Sequence, residues 1–205
     1  AIGDSLARVL KAAGFSVERE YYINDIGNQM RTLGASVYLR YLEYFGQEVE
    51  FPEEYYQGDY IRDIASSIAL GEGDKYLDMP LESCLTFFID TPVKIIASDI
   101  RKDLEEFRVH YDNWFSEKTL HESGLVDSTI SELQDKGYMF EEEGALWFRA
   151  TALGDEKDRV VRRSNGVLTY FASDIAYHRN KLERGYDLLV DIWGADHHGY
   201  IARVK

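Results

Sequence analysis

The chain has 205 residues, 45% of them hydrophobic, enough to bury a sizeable core in one large domain or two small ones. Its 37 acidic against 23 basic residues leave a formal charge of −14, which excludes a generic phosphate-binding surface and favours a cationic or small-molecule ligand. One cysteine, Cys84, rules out an internal disulfide and any cysteine-based zinc site, and no apolar run approaches membrane-spanning length. With no signal peptide in view, the expectation is a soluble protein of the reducing cytoplasm.

Ile2, Leu6, Val9 and Leu10 recur at helical spacing, so a helix is predicted over 2–13, stopped by Gly14. From Phe15 to Ile23, Val17, Tyr21 and Ile23 alternate with Glu18 and Glu20, the pattern of a strand. Asn24-Asp25 offers an N-cap for a long helix over about 26–45, closed by Gly46. Pro52 marks a loop, and a shorter helix is predicted around 60–70, before Gly71-Glu-Gly-Asp74. Pro80 opens a helical region to about Phe107, which Pro92 is expected to break or kink. A helix over 126–136 ends at Gly137. Two hairpins follow, 138–150 turning at Glu143-Gly144 and 159–170 turning at Asn165-Gly166. A helix over 170–183 and a strand over 187–193 complete the chain, whose two ends cut through periodic segments as in a piece excised from something larger. Residues 1–50 and 166–205 thus read as parallel α/β pieces around a mixed insertion, 51–165.

The richest stretch is Ile192-Trp-Gly-Ala-Asp-His-His-Gly199, after the apolar run Leu188-Leu-Val190. A strand ending in Gly-x-Asp-x-His sets bare backbone, a carboxylate and an imidazole at the sheet edge where open α/β folds bind ligands. Gly194 admits close approach, Asp196 can accept ribose hydroxyls, and His198 can donate to or stack beside a nucleotide. An ordinary capped strand end with solvated histidines fits the same letters. Adjacent histidines diverge, and no Cys partner accompanies His197-His198, so no metal site is expected. Tyr170 and Asp174 stand one helical turn apart on one face. Together they could grip a cation, bidentately if it is a guanidinium. An acid favoured by the helix dipole beside a packed aromatic is the competing reading. Asn24, Asp25 and Gln29, at the strand-to-helix turn, either face the ligand crevice or cap and solvate a helix.

Taken in order, several stretches resemble arginyl-tRNA synthetases: Ala1-Ile-Gly-Asp-Ser-Leu-Ala-Arg8, Glu20-Tyr-Tyr-Ile-Asn-Asp-Ile-Gly-Asn-Gln29 and Gly58-Asp-Tyr-Ile61. So do Arg162-Arg-Ser-Asn-Gly166, Thr169-Tyr-Phe-Ala-Ser-Asp-Ile-Ala-Tyr-His178 and Gly194-Ala-Asp-His-His-Gly-Tyr200. The resemblance covers essentially the whole chain. It implies an α/β fold: the Rossmann-type class I synthetase core, incomplete, and split by a connective insertion of helices and β-hairpins. It also implies the activation of arginine with ATP, Mg serving as the nucleotide's counter-ion, and transfer of arginine to tRNA(Arg). By the same resemblance Tyr170 and Asp174 hold the arginine side chain, and Asn24, Asp25 and Gln29 border the amino-acid pocket. Gly194, Asp196 and His198 lie beside the nucleotide.

The family's HIGH-type signature is expected upstream of Ala1, and its lysine-containing loop and anticodon-binding domain beyond Lys205. Without those phosphate-binding loops the isolated chain is expected to be inactive. A sheet without its first strand would expose unpaired edges, which predicts self-association or rearrangement around the insertion. Two other functions fit parts of the pattern: a nucleotide-binding module without catalysis, indifferent to Tyr170 and Asp174, and a class I synthetase for another amino acid.

Overall fold

A computed structural model describes residues 1–204; the side chains of Asp196, His198, Ala202 and Arg203 lie outside the described set. The chain divides into two compact units, residues 1–114 and 115–205.

In the first unit, helix α1 (Ile2–Ala12) ends at Gly14, whose φ of +92° lets the Phe15 N–H return to the Leu10 carbonyl. The predicted strand over 15–23 contracts to β1 (Glu20–Ile23), which forms a two-stranded sheet with β2 (Asn113–Ser116). Residues 16–19 stay outside it, but Arg19 still anchors the start: its N–H donates to Asp112, and its carbonyl accepts from the Asp112 and Asn113 N–H groups. Tyr21 stacks on Trp114 with ring centroids 4.7 Å apart.

Helix α2 (Asn28–Tyr44) begins two residues later than the sequence predicts. Asn24-Asp25 is not its cap. Gly27, at φ +96°, fills the N-cap position without a side-chain bond, because the chain must turn through a left-handed conformation before the helix. Along its middle α2 is buried nearly all round, by α3 (Asp59–Glu72) and α4 (Leu81–Glu106). Val37, Tyr41, Ile61, Ala65 and Phe88 form the heart of this core. The aromatics meet edge to face, Tyr41 and Phe88 at 5.4 Å, and the phenols find partners: Tyr38 donates to the Met79 carbonyl and Tyr41 to that of Gly73, each at 2.6 Å.

Pro92 does not break α4, which runs unbroken through it with the ring buried. The cost is one helical bond. Proline has no N–H for the carbonyl four residues back, that of Phe88. The bare Cα of Gly34 on α2 lies against that same carbonyl: a Cβ on Gly34 would stand 3.1 Å from it. Burial of the proline ring and close approach of two helices offset the lost bond.

In the second unit, α5 (Lys118–Glu122), α6 (Leu125–Asp135) and α7 (Tyr170–Glu183) share a core with an antiparallel sheet of β3 (Met139–Glu142), β4 (Ala145–Phe148) and β5 (Arg159–Arg162), in the order β3-β4-β5. The first hairpin turns at Glu143-Gly144 as predicted, with Glu142 opposite Ala145 and both turn residues at positive φ. The second turns at Asn165-Gly166 but returns through a single bridge, Arg162 to Leu168, before α7 begins. A short 3₁₀ turn, Ala150–Leu153, links β4 towards β5.

The predicted strand over 187–193 does not form. No described strand lies beside it to take up its main-chain bonds, and a lone strand is not stable. The segment stays irregular, leaving Leu188, Val190 and Ile192 70%, 52% and 50% exposed. A 3₁₀ helix (Ala195–Tyr200) and the short α8 (Ile201–Val204) follow.

Candidate functional site

Helix α7 carries the groups that matter in the second unit. Its start is tied to the sheet through Thr169, whose hydroxyl donates to the Val160 carbonyl at 2.7 Å and whose N–H donates to that of Val161 at 2.9 Å. Ala172, Ser173 and Ala176 are small and buried, so α7 can lie close upon its neighbours. The Ser173 hydroxyl meets His121 Nε2 of α5 at 3.0 Å. This seating places Tyr170 at the first turn, half in solvent, and Asp174 one turn on, half-buried.

Asp174 opens on a cavity of about 900 Å³ walled by apolar groups of β4, α6 and α7, among them Leu133, Phe148, Phe171 and Ile175. Its charged lining is Glu132, Asp155, Asp174 and Glu183 against Arg179, an acid-rich balance that favours a cation. Arg179 is itself held by Glu132 at 2.9 Å and Glu183 at 2.7 Å. Tyr170 is not part of that lining.

Below Asp174 on the same helix stands a cluster that sequence reasoning missed. Lys181, 6% exposed, places Nζ 2.5 Å from Asp191 Oδ1 and 4.6 Å from the centre of the Tyr177 ring. His178 Nδ1 lies 2.8 Å from the Asp174 carbonyl oxygen, and Nε2 lies 3.3 Å from Asp191 Oδ2. Both atoms that the imidazole faces are acceptors, so both contacts are hydrogen bonds only when both ring nitrogens carry hydrogen. The bond from His178, followed by that from Lys181, holds the Asp191 carboxyl down to about 2, although burial opposes ionisation. His178 and Lys181 at i and i+3 were the only hint in the sequence; nothing local showed that a residue ten positions on would reach them.

The remaining expected positions are more scattered. Gly194 is exposed in irregular chain, and the His197 N–H donates to its carbonyl at 3.0 Å. The backbone of Asp196 and His198 runs through the 3₁₀ helix; their side chains lie outside the described ones. Asn24 and Gln29 are exposed, and Asp25 is half-buried, all three in the first unit at the turn between β1 and α2.

An acid on a helix over an apolar cavity, followed by a Gly-x-Asp-x-His segment, has the makings of an amino-acid and nucleotide site of the class I synthetase kind. Residues 1–202 match the family described as tRNA synthetases class I (R), catalytic domain, and the chain belongs to that family. Over all 205 residues it is 56% identical to the arginine–tRNA ligase of Geobacter sp. (strain M21) and 50% identical to that of Oceanobacillus iheyensis. It spans 37% of the length of each. Among solved structures, a protein of Campylobacter jejuni assigned as an arginyl-tRNA synthetase aligns over 98% of this chain and 44% of its own, at 36% identity and a TM-score of 0.89. The arginyl-tRNA synthetase of Thermus thermophilus aligns over 86% of this chain and 31% of its own, at 27% identity and a TM-score of 0.58. The fold is therefore α/β, part of a class I synthetase catalytic domain.

Proposed function

We propose that this chain supplies much of the catalytic domain of an arginine–tRNA ligase. The observation that carries the reading is Asp174, a half-buried carboxylate over an acid-rich apolar cavity, one helical turn after Tyr170. A guanidinium presents a planar fork that a carboxylate accepts through two parallel bonds, and an aromatic ring a turn away can cover its face. Lysine lacks the fork; citrulline keeps the shape but lacks the charge that a carboxylate selects. The family match and the arginyl relatives favour the same substrate.

In the reaction, the arginine carboxylate attacks the α-phosphorus of ATP, expelling pyrophosphate and forming arginyl-adenylate. A hydroxyl of the terminal ribose of tRNA(Arg) then attacks the acyl carbon and AMP departs. Mg accompanies ATP as its counter-ion. Tyr170 and Asp174 would orient the amino acid, and Gly194, Asp196 and His198 would lie along the nucleotide. On this reading residues 1–50 and 166–205 are the two catalytic parts and 51–165 is the connective insertion between them. No helix of the described residues is long and apolar enough to cross a membrane, which suits a cytoplasmic enzyme.

The test is Asp174→Asn in a polypeptide of the relatives' full length that carries this sequence, read by arginine-dependent ATP–pyrophosphate exchange with tRNA present. Loss of a partly buried charge partner is expected to lower kcat/KM for arginine by about 100-fold or more. A variant within about threefold of the parent would refute the assignment of Asp174.

A further inference from the structure

We propose that Asp191 is a positioning residue: through Lys181 and His178 it fastens the irregular segment 187–193 to helix α7, and so sets where the main chain at Gly194 stands. The inference rests on the reaction proposed above for its functional consequence, and on the geometry alone for the attachment.

Packing holds this segment only in part. Leu188, Val190 and Ile192 are exposed while Leu189 is half-buried, and among the described residues its main chain joins no strand ladder. Chain with few buried contacts and no ladder opens easily. The Asp191 carboxylate adds a directed attachment. Its two oxygens are taken separately, Oδ1 by Lys181 at 2.5 Å and Oδ2 by His178 at 3.3 Å, from positions three apart on one helix. Two donors on a rigid element fix the direction of a carboxylate as well as its distance. Lys181 is nearly wholly buried, and a buried ammonium is strongly penalised without its counter-charge, so the pair resists separation.

The consequence travels only three residues. Asp191 precedes Gly194 by three positions, a reach of about 10 Å at most, and the 3₁₀ helix with Asp196 and His198 opens immediately after it. The other end of the clamp returns to the amino-acid side, since His178 Nδ1 meets the carbonyl oxygen of Asp174 itself. One helix therefore holds the residue proposed for the guanidinium and sets the register of the segment proposed for the nucleotide. Removing the clamp should loosen the nucleotide side and leave the arginine side in place.

The experiment compares Asp191→Asn and Lys181→Met with the parent, and includes Asp191→Glu as the conservative variant, all in a polypeptide of the relatives' full length carrying this sequence. Limited proteolysis reads the attachment. In both charge-removing variants cleavage within residues 187–195 should be about tenfold faster or more, and Asp191→Glu should restore most of the resistance. Pyrophosphate exchange reads the role: KM for ATP should rise about fivefold or more while KM for arginine stays within about twofold, and Asp191→Glu should recover most of the loss. Unchanged cleavage within 187–195 overturns the clamp. An unchanged KM for ATP, or KM for arginine rising in parallel, overturns its positioning role. A parent protein that activates another amino acid instead would overturn the assignment to arginine, while the cleavage rate and the KM for ATP would still judge the clamp.

Discussion

Gly34→Ala is a substitution in which two effects of similar size oppose one another. In the interior of an exposed helix, replacing glycine by alanine stabilises by about 1 kcal/mol, because alanine loses less backbone freedom on folding. Gly34 is not exposed: its new Cβ would stand 2.8 Å from Ile89 Cγ1, 3.1 Å from the Phe88 carbonyl oxygen and 3.3 Å from Leu85 Cδ1, all on α4. The two side chains can swing, but the Phe88 carbonyl is helix backbone, and its usual donor four residues on is replaced by Pro92. Separating α2 and α4 by even a few tenths of an ångström loosens the core that Val37, Tyr41 and Phe88 share. Overpacking of this kind costs about 1–3 kcal/mol, so after the helical gain a net loss of about 1 kcal/mol is expected, or about 2–4 °C in Tm. Gly71→Ala in α3 is the control, since a Cβ there meets nothing within 4 Å and only the propensity gain of about 1 kcal/mol should register. Thermal and urea unfolding of the two variants would decide it. If Gly34→Ala stabilises as much as Gly71→Ala, the α2–α4 contact is not close-packed and the account of Pro92 given above is wrong.

Tyr41→Phe removes a hydroxyl that donates to the Gly73 carbonyl and accepts from the buried Tyr76 N–H at 3.2 Å. Gly73 can turn to water, but Tyr76 cannot, so a loss of about 1–3 kcal/mol is expected by urea titration; a change below about 0.5 kcal/mol would contradict this. Glu143 occupies a left-handed turn position at φ +49°, ahead of Gly144 at +76°. Glu143→Asn should therefore stabilise the β3–β4 hairpin by about 0.5 kcal/mol, raising the urea midpoint, whereas Glu143→Val should lower it. For Asp191, a carboxyl held down to about 2 against an ordinary 3.8 contributes stability that is complete above the unfolded value and is lost as pH falls through the folded one. The gap in urea midpoint between the parent and Asp191→Asn should thus be open at about pH 5 and close between about pH 4 and 2, with at most about 2 kcal/mol at stake because a third of the side chain meets solvent. A gap that persists unchanged at pH 2 would show that the carboxylate charge is not what holds the segment.

Much of this molecule is legible in its sequence, because helices and tight turns are determined by neighbours a few residues apart. Gly14 and Gly46 stop α1 and α2, Glu143-Gly144 turns the first hairpin, and the spacing of Tyr170 and Asp174 puts them one turn apart on α7. The ordered motifs also carried the family. Strand formation is different, since a strand needs a partner that local letters do not name. The run 187–193 has strand composition but, among the described residues, no strand pairs with it, and the shortening of β1 to four residues likewise follows from what lies beside it. Pro92 fails to break its helix for a related reason: the sequence shows the missing N–H, whereas the burial and close helix contact that compensate for it exist only after folding. The same holds for the clamp on Asp191, whose partners lie ten and thirteen residues away across a bend. The sequence by itself determined the helices, the turns and the chemistry available on α7. Only the tertiary structure decided which charge meets which, because pairing across a chain reversal depends on where the backbone returns and not on the letters between.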